Sequence, residues 1–299
     1  MSLLVVGSIA FDSVETPFGK AEAALGGSAM YFSYAASYFT PVRLVGVVGR
    51  DFPMGTFDEF KARGVDTAGV EVADGETFRW RGKYEGTMNV AETLETKLNV
   101  FGKFTPKIPS AFRSTPFVFL ANGAPATQRS VLEQVDAPKF VVADTMNLWM
   151  RIAKAELLDL LRRVDGLILN DEEARELTGE RNLIRAGRAI LELGPKIVVV
   201  KKGEHGAFLF SDFVEFALPA YPTDNVKDPT GAGDSFAGGF MGALASAGRV
   251  TLPALKRAMA YGTICASVNV EDFSFEAMRR TDRQAIEKRF EEFLHFITL

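Results

Sequence analysis

Cysteine and histidine are scarce in this sequence. The 299 residues include one cysteine, Cys265, and two histidines, His205 and His295. One cysteine excludes an internal disulfide, and these widely separated residues cannot form a zinc site with the usual ligand spacing. His205 lies in a glycine-rich turn, and no Gly-x-Ser-x-Gly elbow is present, so a serine–histidine–aspartate triad has little support.

Long apolar runs and an excess of basic charge are also missing. No run approaches the ~20 apolar residues that span a bilayer, and the first ten residues lack the basic flank and cleavage site of a signal peptide. The formal net charge is −4, whereas nucleic-acid-binding domains are usually basic. We therefore expect a cytoplasmic protein with no membrane and no nucleic acid among its partners.

Two nucleotide-binding motifs are absent as well. There is no Gly-x-x-x-x-Gly-Lys-Ser/Thr, which excludes a Walker-type phosphate loop. No Gly-x-Gly-x-x-Gly follows the first apolar run, so the main support for dinucleotide binding is missing. A nucleotide-using protein of this sequence would need another kind of phosphate site.

The apolar pattern predicts an α/β fold. Runs of strand length alternate with helix-length segments, which is typical of a doubly wound, mostly parallel sheet with helices on both faces. The predicted strands are 3–8, 42–48, 117–121, 140–144, 167–170 and 197–201, followed by a hairpin of 207–211 and 214–217. The predicted helices are 28–39, 54–63, 127–135, 153–163, 171–178, 183–193, 234–247, 252–268 and 282–296.

Residues from about 70 to 105 break this alternation. Residues 77–84 form a strand-like segment with aromatic residues at alternate positions, and residues 99–101 are strand-like too. We predict one domain over residues 1–299 with a small β insertion at about 70–105, to which residues 12–25 are a candidate addition. A β edge that serves only packing is the alternative.

The most informative segment reads Asp-Pro-Thr-Gly-Ala-Gly-Asp over residues 228–234, and a helix of small residues follows it. A Gly-Ala-Gly turn at a helix start aligns backbone N–H groups with the positive end of the helix dipole, which suits an anion. A carboxylate at Asp234 would be repelled there unless it takes a proton from a hydroxyl that attacks a phosphoryl group. The alternative is an ordinary helix capped by Thr230 or Asp234.

This segment resembles the signature of the ribokinase-like (PfkB) carbohydrate and nucleoside kinases, with Pro229 in place of a threonine. The resemblance implies a ribokinase-like fold, a β lid over the sugar site that often forms a homodimer contact, and ATP and Mg²⁺ as cofactors. It implies Asp234 as the catalytic base. The N–H groups that would hold the phosphoryl oxygens are those of Gly231, Ala232, Gly233 and Asp234. A monovalent cation such as K⁺ would bind near Asp228 and the Thr230 carbonyl.

Asp12 and a glycine pair are candidates for binding the acceptor. Asp12 follows the first strand, and ligands of open α/β sheets bind beyond the carboxyl ends of strands. The resemblance implies that this aspartate binds hydroxyl groups of the sugar. The alternative is that it only caps a turn. Gly26 and Gly27 permit close approach of a ligand to the backbone and resemble a sugar-contacting pair, or they form a flexible turn that Ser28 caps.

Two further residues are candidate substrate contacts. Tyr31 stands where many sugar kinases of this family carry an asparagine, so it would stack on a ring or base, or narrow the pocket. Asn147 follows the predicted strand 140–144, and its alternative role is to cap a loop.

The nucleotide contacts are expected at two turns. Asn170 and Glu173 resemble the family's Asn-x-x-Glu, which positions Mg²⁺ and the phosphates, although the same spacing suits a capping box. Lys202, Gly203 and Gly206 resemble the turn that passes along the nucleotide, where a lysine would meet a phosphate. A hairpin turn with solvated lysines is the alternative.

Together these motifs predict an ATP-dependent kinase that phosphorylates a hydroxymethyl group of a sugar, a polyol or a similar small molecule. A nucleoside kinase is the alternative, because four aromatic residues offer stacking surfaces: Phe11, Tyr31, Trp80 and Trp149. A ligand sensor without catalysis is less expected, since the carboxylate and the glycines before it are all present.

Overall fold

In the computed structural model, which describes residues 1–298, the chain forms two β-sheets, with helices packed on the larger one. The strands are β1 (Leu3–Val6), β2 (Ala10–Thr16), β3 (Gly19–Gly26), β4 (Val42–Val48), β5 (Val65–Val72), β6 (Phe78–Tyr84), β7 (Ala91–Lys97), β8 (Phe117–Leu120), β9 (Phe140–Asp144), β10 (Gly166–Asn170), β11 (Ile197–Lys201), β12 (Ala207–Ser211) and β13 (Val214–Leu218). The helices are α1 (Ser28–Ser37), α2 (Thr56–Ala62), α3 (Ser110–Arg113), α4 (Pro125–Leu132), α5 (Asn147–Ile152), α6 (Lys154–Leu161), α7 (Asp171–Thr178), α8 (Leu183–Glu192), α9 (Ala232–Ala247), α10 (Leu252–Asn269), α11 (Glu276–Arg279) and α12 (Arg283–Ile297).

The larger sheet has nine strands in the order β13-β12-β11-β10-β9-β8-β1-β4-β5. Strands from β11 to β5 pair in parallel, and β12 and β13 form an antiparallel hairpin at one edge. The inner strands are buried apolar runs, as in Leu-Leu-Val-Val of β1 and Phe-Val-Phe-Leu of β8, because both faces are covered. This confirms the predicted doubly wound, mostly parallel fold.

Two hydrophobic cores lie on the two faces of this sheet. Helices α1, α9, α10 and α12 contribute to one core, and helices α4, α6, α7 and α8 contribute to the other. The small residues of α9 bring it close to its neighbours. A β-carbon on Gly238 would lie 2.4 Å from the carbonyl oxygen of Phe32 in α1, and one on Gly239 would lie 2.7 Å from that of Tyr261 in α10. Glycine therefore lets α9 sit between both helices, which holds its N-terminus at the edge of the sheet.

The smaller sheet, in the order β3-β2-β6-β7, contains the predicted β insertion and is called the lid below. Residues 12–25, the candidate addition, lie in two of its four strands. The main insertion differs from the expectation in two ways. The stretch 70–72 belongs to β5 of the large sheet. Residues 99–101 lie in the 3₁₀ segment Asn99–Lys103 and not in a strand. The lid therefore combines two segments that are distant in the sequence, and only the second was visible as an interruption of the βα alternation.

Most predicted element bounds agree with the structure to within two or three residues. β1 ends at Val6, earlier than predicted, and α9 begins at Ala232, earlier than predicted. The short helix α5 (Asn147–Ile152) was expected to be a loop. Among residues 1–298, none of the helices is both long and apolar enough to cross a membrane.

Candidate active site

The carboxyl ends of three neighbouring strands bring polar residues to one edge of the large sheet. Asp144 ends β9, Asn170 ends β10 and Lys201 ends β11, and Asn170 and Lys201 are direct partners in the sheet register. The N-terminus of α9 meets the same edge, because the Nζ of Lys201 lies 2.7 Å from where a β-carbon of Gly233 would be. This is the position at which open α/β folds bind ligands.

Three backbone N–H groups at the start of α9 have no acceptor in the described part of the chain: those of Gly231, Gly233 and Asp234. Gly231 has a φ of 74°, which is the left-handed conformation that glycine adopts without strain. The N–H of Ala232 donates to the carbonyl of Pro229 at 3.1 Å. Ala232 therefore does not fit the predicted role of an anion donor, because its N–H closes the turn that aims the other three.

Asn269 stabilises this turn through two hydrogen bonds. It is 1% exposed at the end of α10, its Nδ2 donates to the carbonyl of Thr230 at 2.7 Å, and its Oδ1 accepts from the hydroxyl of Ser235 at 3.0 Å. The sequence analysis missed this residue. The only signal was a polar residue in a mostly apolar helix, and nothing in its spacing indicated a partner 39 positions away.

The residues predicted for a monovalent cation are already engaged with each other and with Asn269. Asp228 is 1% exposed, and its Oδ1 accepts from the N–H of Thr230 at 2.9 Å. Burial raises the pKa of Asp228, and hydrogen bonds from Thr230 and Ser274 oppose that rise. The carbonyl of Thr230 has a free lone pair beside its bond to Asn269, so K⁺ binding here stays a prediction.

Asp234 carries a carboxylate with no hydrogen-bond partner among residues 1–298, in a partly buried position at the first turn of α9. Burial raises its pKa to about 7, and the charges of Asp144 and Asp12 raise it further, whereas Lys201 opposes the rise. A carboxylate with such a pKa is suited to accept a proton near neutral pH.

Asn170 and Glu173 form a capping box at the start of α7. The Oδ1 of Asn170 accepts from the N–H of Glu173 at 2.8 Å, and the Oε2 of Glu173 accepts from the N–H of Asn170 at 2.7 Å. The capping interpretation is therefore realised. Burial and the charge of Asp144 raise the pKa of Glu173 to about 7, while Lys201 opposes that rise.

The donor set fits Mg²⁺ only if phosphate oxygens complete it. No cluster of three or more His, Cys, Asp or Glu residues in the described chain is arranged to hold a metal ion. Oε1 of Glu173 has no hydrogen-bond partner in that part of the chain, so one carboxylate oxygen is not used by the capping box. Mg²⁺ commonly binds through one or two carboxylates, water and substrate phosphates.

Asp12 follows the first strand in the chain, as predicted, and it lies in a strand of the lid rather than in a turn. It belongs to β2 and is 6% exposed, and its Oδ2 accepts from the N–H of Gly27 at 3.4 Å. Burial raises its pKa to about 7, with a further rise from Asp228. Gly27 has a φ of 96°, and a β-carbon there would lie 2.6 Å from the carbonyl oxygen of Ser8. Glycine is thus required at position 27 by its positive φ and by the close carbonyl of Ser8.

Tyr31 packs against the turn that precedes α9. It is 2% exposed, and its ring lies against Gly231, where a β-carbon would meet the ring at 2.4 Å. Burial raises its pKa well above the usual range, and so do the nearby charges of Asp12, Asp228 and Asp234. Its hydroxyl has no hydrogen-bond partner in the described chain, so it is available to a ligand between these carboxylates.

Asn147 does not join this cluster, contrary to its predicted role. It begins α5, and its Nδ2 donates to Oε2 of Glu176 at 2.6 Å, next to the ion pair of Glu176 with Arg151. The amide is therefore used in a contact between α5 and α7. The alternative, an asparagine that caps a loop, does not describe it either, because Asn147 is the first residue of a helix.

The four aromatic residues do not converge. Trp80 is the direct partner of Asp12 in the parallel pairing of β2 with β6, so both side chains leave the same face of the lid. Phe11 packs against Phe52 with ring centroids 5.6 Å apart. The indole of Trp149 donates to Asn122 at 3.0 Å. The indole of Trp80 lies over Gly82 and donates to the hydroxyl of Thr93 at 3.3 Å, so Trp80 shares a face of the lid with Asp12 but its ring leans along its own strand.

The turn after β11 touches the tip of the lid. Asn89, between β6 and β7, donates to Glu204 at 3.1 Å, and a β-carbon on Gly203 would meet the side-chain oxygen of Asn89 at 2.5 Å. A β-carbon on Gly206 would lie 2.0 Å from the carbonyl of Leu218. The two glycines therefore permit close approach between segments of this same chain. The ammonium of Lys202 lies 4.4 Å from the ring centre of Phe208.

The fold is that of the ribokinase-like kinases. A sequence model of the pfkB family of carbohydrate kinases matches residues 119–280, and the chain belongs to this family. It is 29% identical over 248 residues to a cytidine kinase of Thermococcus kodakarensis, across 81% of this chain and 87% of that one.

Solved structures share the fold along nearly the whole chain. A nucleoside kinase of Methanocaldococcus jannaschii has a TM-score of 0.78 at 19% identity, and the match covers 97% of this chain and 98% of that one. A putative ribokinase II of E. coli, in complex with ATP and Mg²⁺, has a TM-score of 0.79 at 19% identity, with 97% and 99% covered. At such identity, these similarities establish the fold and leave the acceptor open.

Proposed function

We propose that this protein transfers the γ-phosphoryl group of ATP to a hydroxymethyl group of a sugar or a sugar-like small molecule. The observation that carries the proposal is the unpartnered carboxylate of Asp234 beside the free N–H groups of Gly231 and Gly233. An anion site with a base of pKa about 7 next to it is what the deprotonation of an attacking hydroxyl requires.

In the proposed reaction, the hydroxyl of the acceptor loses its proton to Asp234. The acceptor oxygen forms a bond to the γ-phosphorus, the bond from that phosphorus to the β,γ-bridging oxygen breaks, and ADP leaves with the electron pair. The N–H groups of Gly231, Gly233 and Asp234 stabilise the charge on the phosphoryl oxygens, at about 3 kcal/mol for one such donor in other enzymes. Glu173 would hold Mg²⁺ together with water and phosphate oxygens, and this ion neutralises phosphate charge.

The acceptor would bind between the lid and α9. Asp12 would accept hydrogen bonds from hydroxyl groups, and the hydroxyl of Tyr31 would bind the same molecule. The lid contacts the body through Asn89 and Glu204 and through the hydroxyl of Ser274, which donates to the carbonyl of Leu25 at 2.6 Å. Such a closed arrangement supports exclusion of water, which would otherwise hydrolyse ATP.

A nucleoside is the second candidate acceptor. Trp80 favours it, because this tryptophan lies on the same face of the lid as Asp12 and an indole on that face offers a stacking surface to a base. The similarity to a cytidine kinase over most of the chain points in the same direction.

Three further features belong to the proposal. K⁺ would bind near Asp228 and Thr230, and two copies would pair through the lid. Cys265 is free and buried, in keeping with work in the reducing cytoplasm.

The test is ATP turnover with a panel of sugars, polyols and nucleosides, with and without K⁺, for the wild type and Asp234→Asn. We expect turnover with at least one acceptor, and a loss of about three orders of magnitude or more in the variant with nearly unchanged ATP affinity. Asp212→Asn, in the exposed turn between β12 and β13, is the matched control and should keep full activity. An equal rate in Asp234→Asn would refute the assigned chemistry.

A further inference from the structure

The ammonium group of Lys201 faces the anion site without a protein partner. Lys201 is the last residue of β11, and its Nζ lies 2.7 Å from the position of a β-carbon on Gly233, in the first turn of α9. No ion pair or hydrogen bond of its side chain occurs within residues 1–298. The sequence analysis assigned the phosphate contact to its neighbour Lys202.

We propose that Lys201 is a catalytic residue that binds an oxygen of the transferred γ-phosphoryl group, next to the N–H groups of Gly233 and Asp234. This inference rests on the proposed function and deepens it. As the bond to the β,γ-bridging oxygen breaks, the ammonium stabilises the negative charge on the phosphoryl oxygens, while the proton of the acceptor passes to Asp234.

The electrostatics around Lys201 support this role. A lysine at the N-terminus of a helix meets the positive end of the dipole and is unfavourable there unless an anion lies between them. Three carboxylates surround the ammonium, those of Asp144, Glu173 and Asp234, and its charge opposes the rise of the pKa of each one. It makes an ion pair with none of them. A bound phosphoryl group would supply the missing partner at short range.

Strand geometry separates the two lysines. Successive side chains in a strand point to opposite sides, so only one of Lys201 and Lys202 can face α9 from the end of β11. The ammonium of Lys202 lies over the ring of Phe208 at 4.4 Å. Lys202→Met tests the competing assignment, in which Lys202 meets the phosphate, and like Lys201→Met it removes one charge at the end of β11.

The first test compares kinetics of the two variants. We expect Lys201→Met to lower kcat by about 100-fold with the acceptor KM within about threefold of wild type, and Lys202→Met to change both by less than about threefold. Lys201→Arg should recover part of the rate. Thermal unfolding of each variant shows whether the fold is retained. A kcat of Lys201→Met within threefold of wild type, or an equal loss in Lys202→Met, would overturn the assignment.

The pH profile separates a direct role from a structural one. Lys201 and the carboxylates of Asp144, Glu173, Asp234 and Asp12 are the charged groups that act on this site. Because the ammonium favours the ionised form of Asp234, its removal should move the acid limb of kcat to higher pH. A loss of folded protein alone would lower kcat at every pH without moving the limb.

A binding experiment remains decisive if the panel contains no acceptor. Calorimetry with AMP-PNP and with ADP measures what the γ-phosphoryl group adds to affinity. We expect Lys201→Met to weaken AMP-PNP binding by about tenfold and ADP binding by less than about threefold. Equal effects on both nucleotides would overturn the role at the γ-phosphoryl group. If Lys201→Met turns over ATP at the wild-type rate, the role of Lys201 is rejected and Asp234 remains the proposed base. If Asp234→Asn is fully active, the proposed function itself is rejected.

Discussion

The carboxylate of Asp12 occupies the space that a side chain at position 26 would need. Its Oδ2 lies 1.9 Å from the position of a β-carbon on Gly26. Gly26 has no positive φ, so glycine is required here by the neighbouring acid and not by the backbone. One residue of the glycine pair thus makes room for Asp12, and the other, Gly27, donates its N–H to it.

Gly26→Ala should therefore displace Asp12 and weaken acceptor binding. We expect the acceptor KM to rise by tenfold or more, which corresponds to about 1.4 kcal/mol, while the KM for ATP stays nearly constant. Steady-state kinetics with each substrate varied in turn measures both values. Gly55→Ala is the control, because a β-carbon on Gly55 would meet nothing within 4 Å. An unchanged acceptor KM in Gly26→Ala would argue against Asp12 as a ligand.

The rate should fall as the pH is lowered through about 7. The pKa of Asp234 is raised to about 7, chiefly by burial, and only the ionised form can accept a proton from the acceptor. Below pH 7 the ionised fraction decreases tenfold per pH unit, so kcat at saturating substrates should follow it. A pH series from 5 to 9 checks this, and a constant kcat down to pH 5 would contradict it.

The same carboxylate should cost stability in the unliganded protein. Its folded pKa of about 7 exceeds the unfolded value of 3.8. Between about pH 4 and 7 the folded state therefore binds more protons, and stability falls as the pH rises through that window. Asp234→Asn should be more stable than wild type at pH 8, by at most about 4 kcal/mol at about 1.36 kcal/mol per pKa unit, and the gain should vanish near pH 4.

Denaturant unfolding at the two pH values measures this difference. The exposed Asp212→Asn serves again as the control and should show no such pH-dependent gain. Equal stability of Asp234→Asn and wild type at pH 8 would mean that the carboxylate is solvated at little cost.

Glu173→Gln separates the two roles of the capping box. Glutamine keeps an oxygen that accepts from the N–H of Asn170, so α7 should remain capped and the stability should change by less than about 0.5 kcal/mol at pH 5, where Glu173 is mostly protonated. The variant lacks the negative charge that would help to hold Mg²⁺. We expect the Mg²⁺ concentration for half-maximal turnover to rise about tenfold or more.

Turnover as a function of free Mg²⁺ provides this measurement. Glu172→Gln, on the exposed side of the same first turn, is the matched control. Identical Mg²⁺ dependence in both variants would leave Glu173 as a helix cap alone.

Much of the fold was predictable because its signals are local. The buried runs of β1 and β8 and the alternation with helices indicate a parallel sheet, and the order of the motifs indicates the family. The segment 228–234 contains the turn, the helix start and Asp234 within a few residues. A helix N-terminus aims its free N–H groups by its own geometry, so this part of the site needed no distant partner.

The remaining parts of the site depend on contacts between distant segments. Asp12 is held in the lid, where β2 pairs with β6. Asn269, at the end of α10, bonds the carbonyl of Thr230, which precedes α9, and helices α9 and α10 separate the two residues along the chain. Asn147 lies close enough in sequence to the end of a strand to suggest a substrate contact. In the structure α5 packs on α7, and the side-chain amide of Asn147 donates a hydrogen bond to Glu176.

The sequence by itself determined the class of fold and the glycine turn at the start of α9, because hydrophobic periodicity and turn chemistry act over a few residues. Only the tertiary structure decided which of Lys201 and Lys202 faces α9. It also decided that the N–H of Ala232 is bonded within the turn and that Gly26 leaves space for the carboxylate of Asp12. Side-chain direction at a strand end and the distance between segments remote in the chain are set by packing, and spacing along the sequence does not encode them.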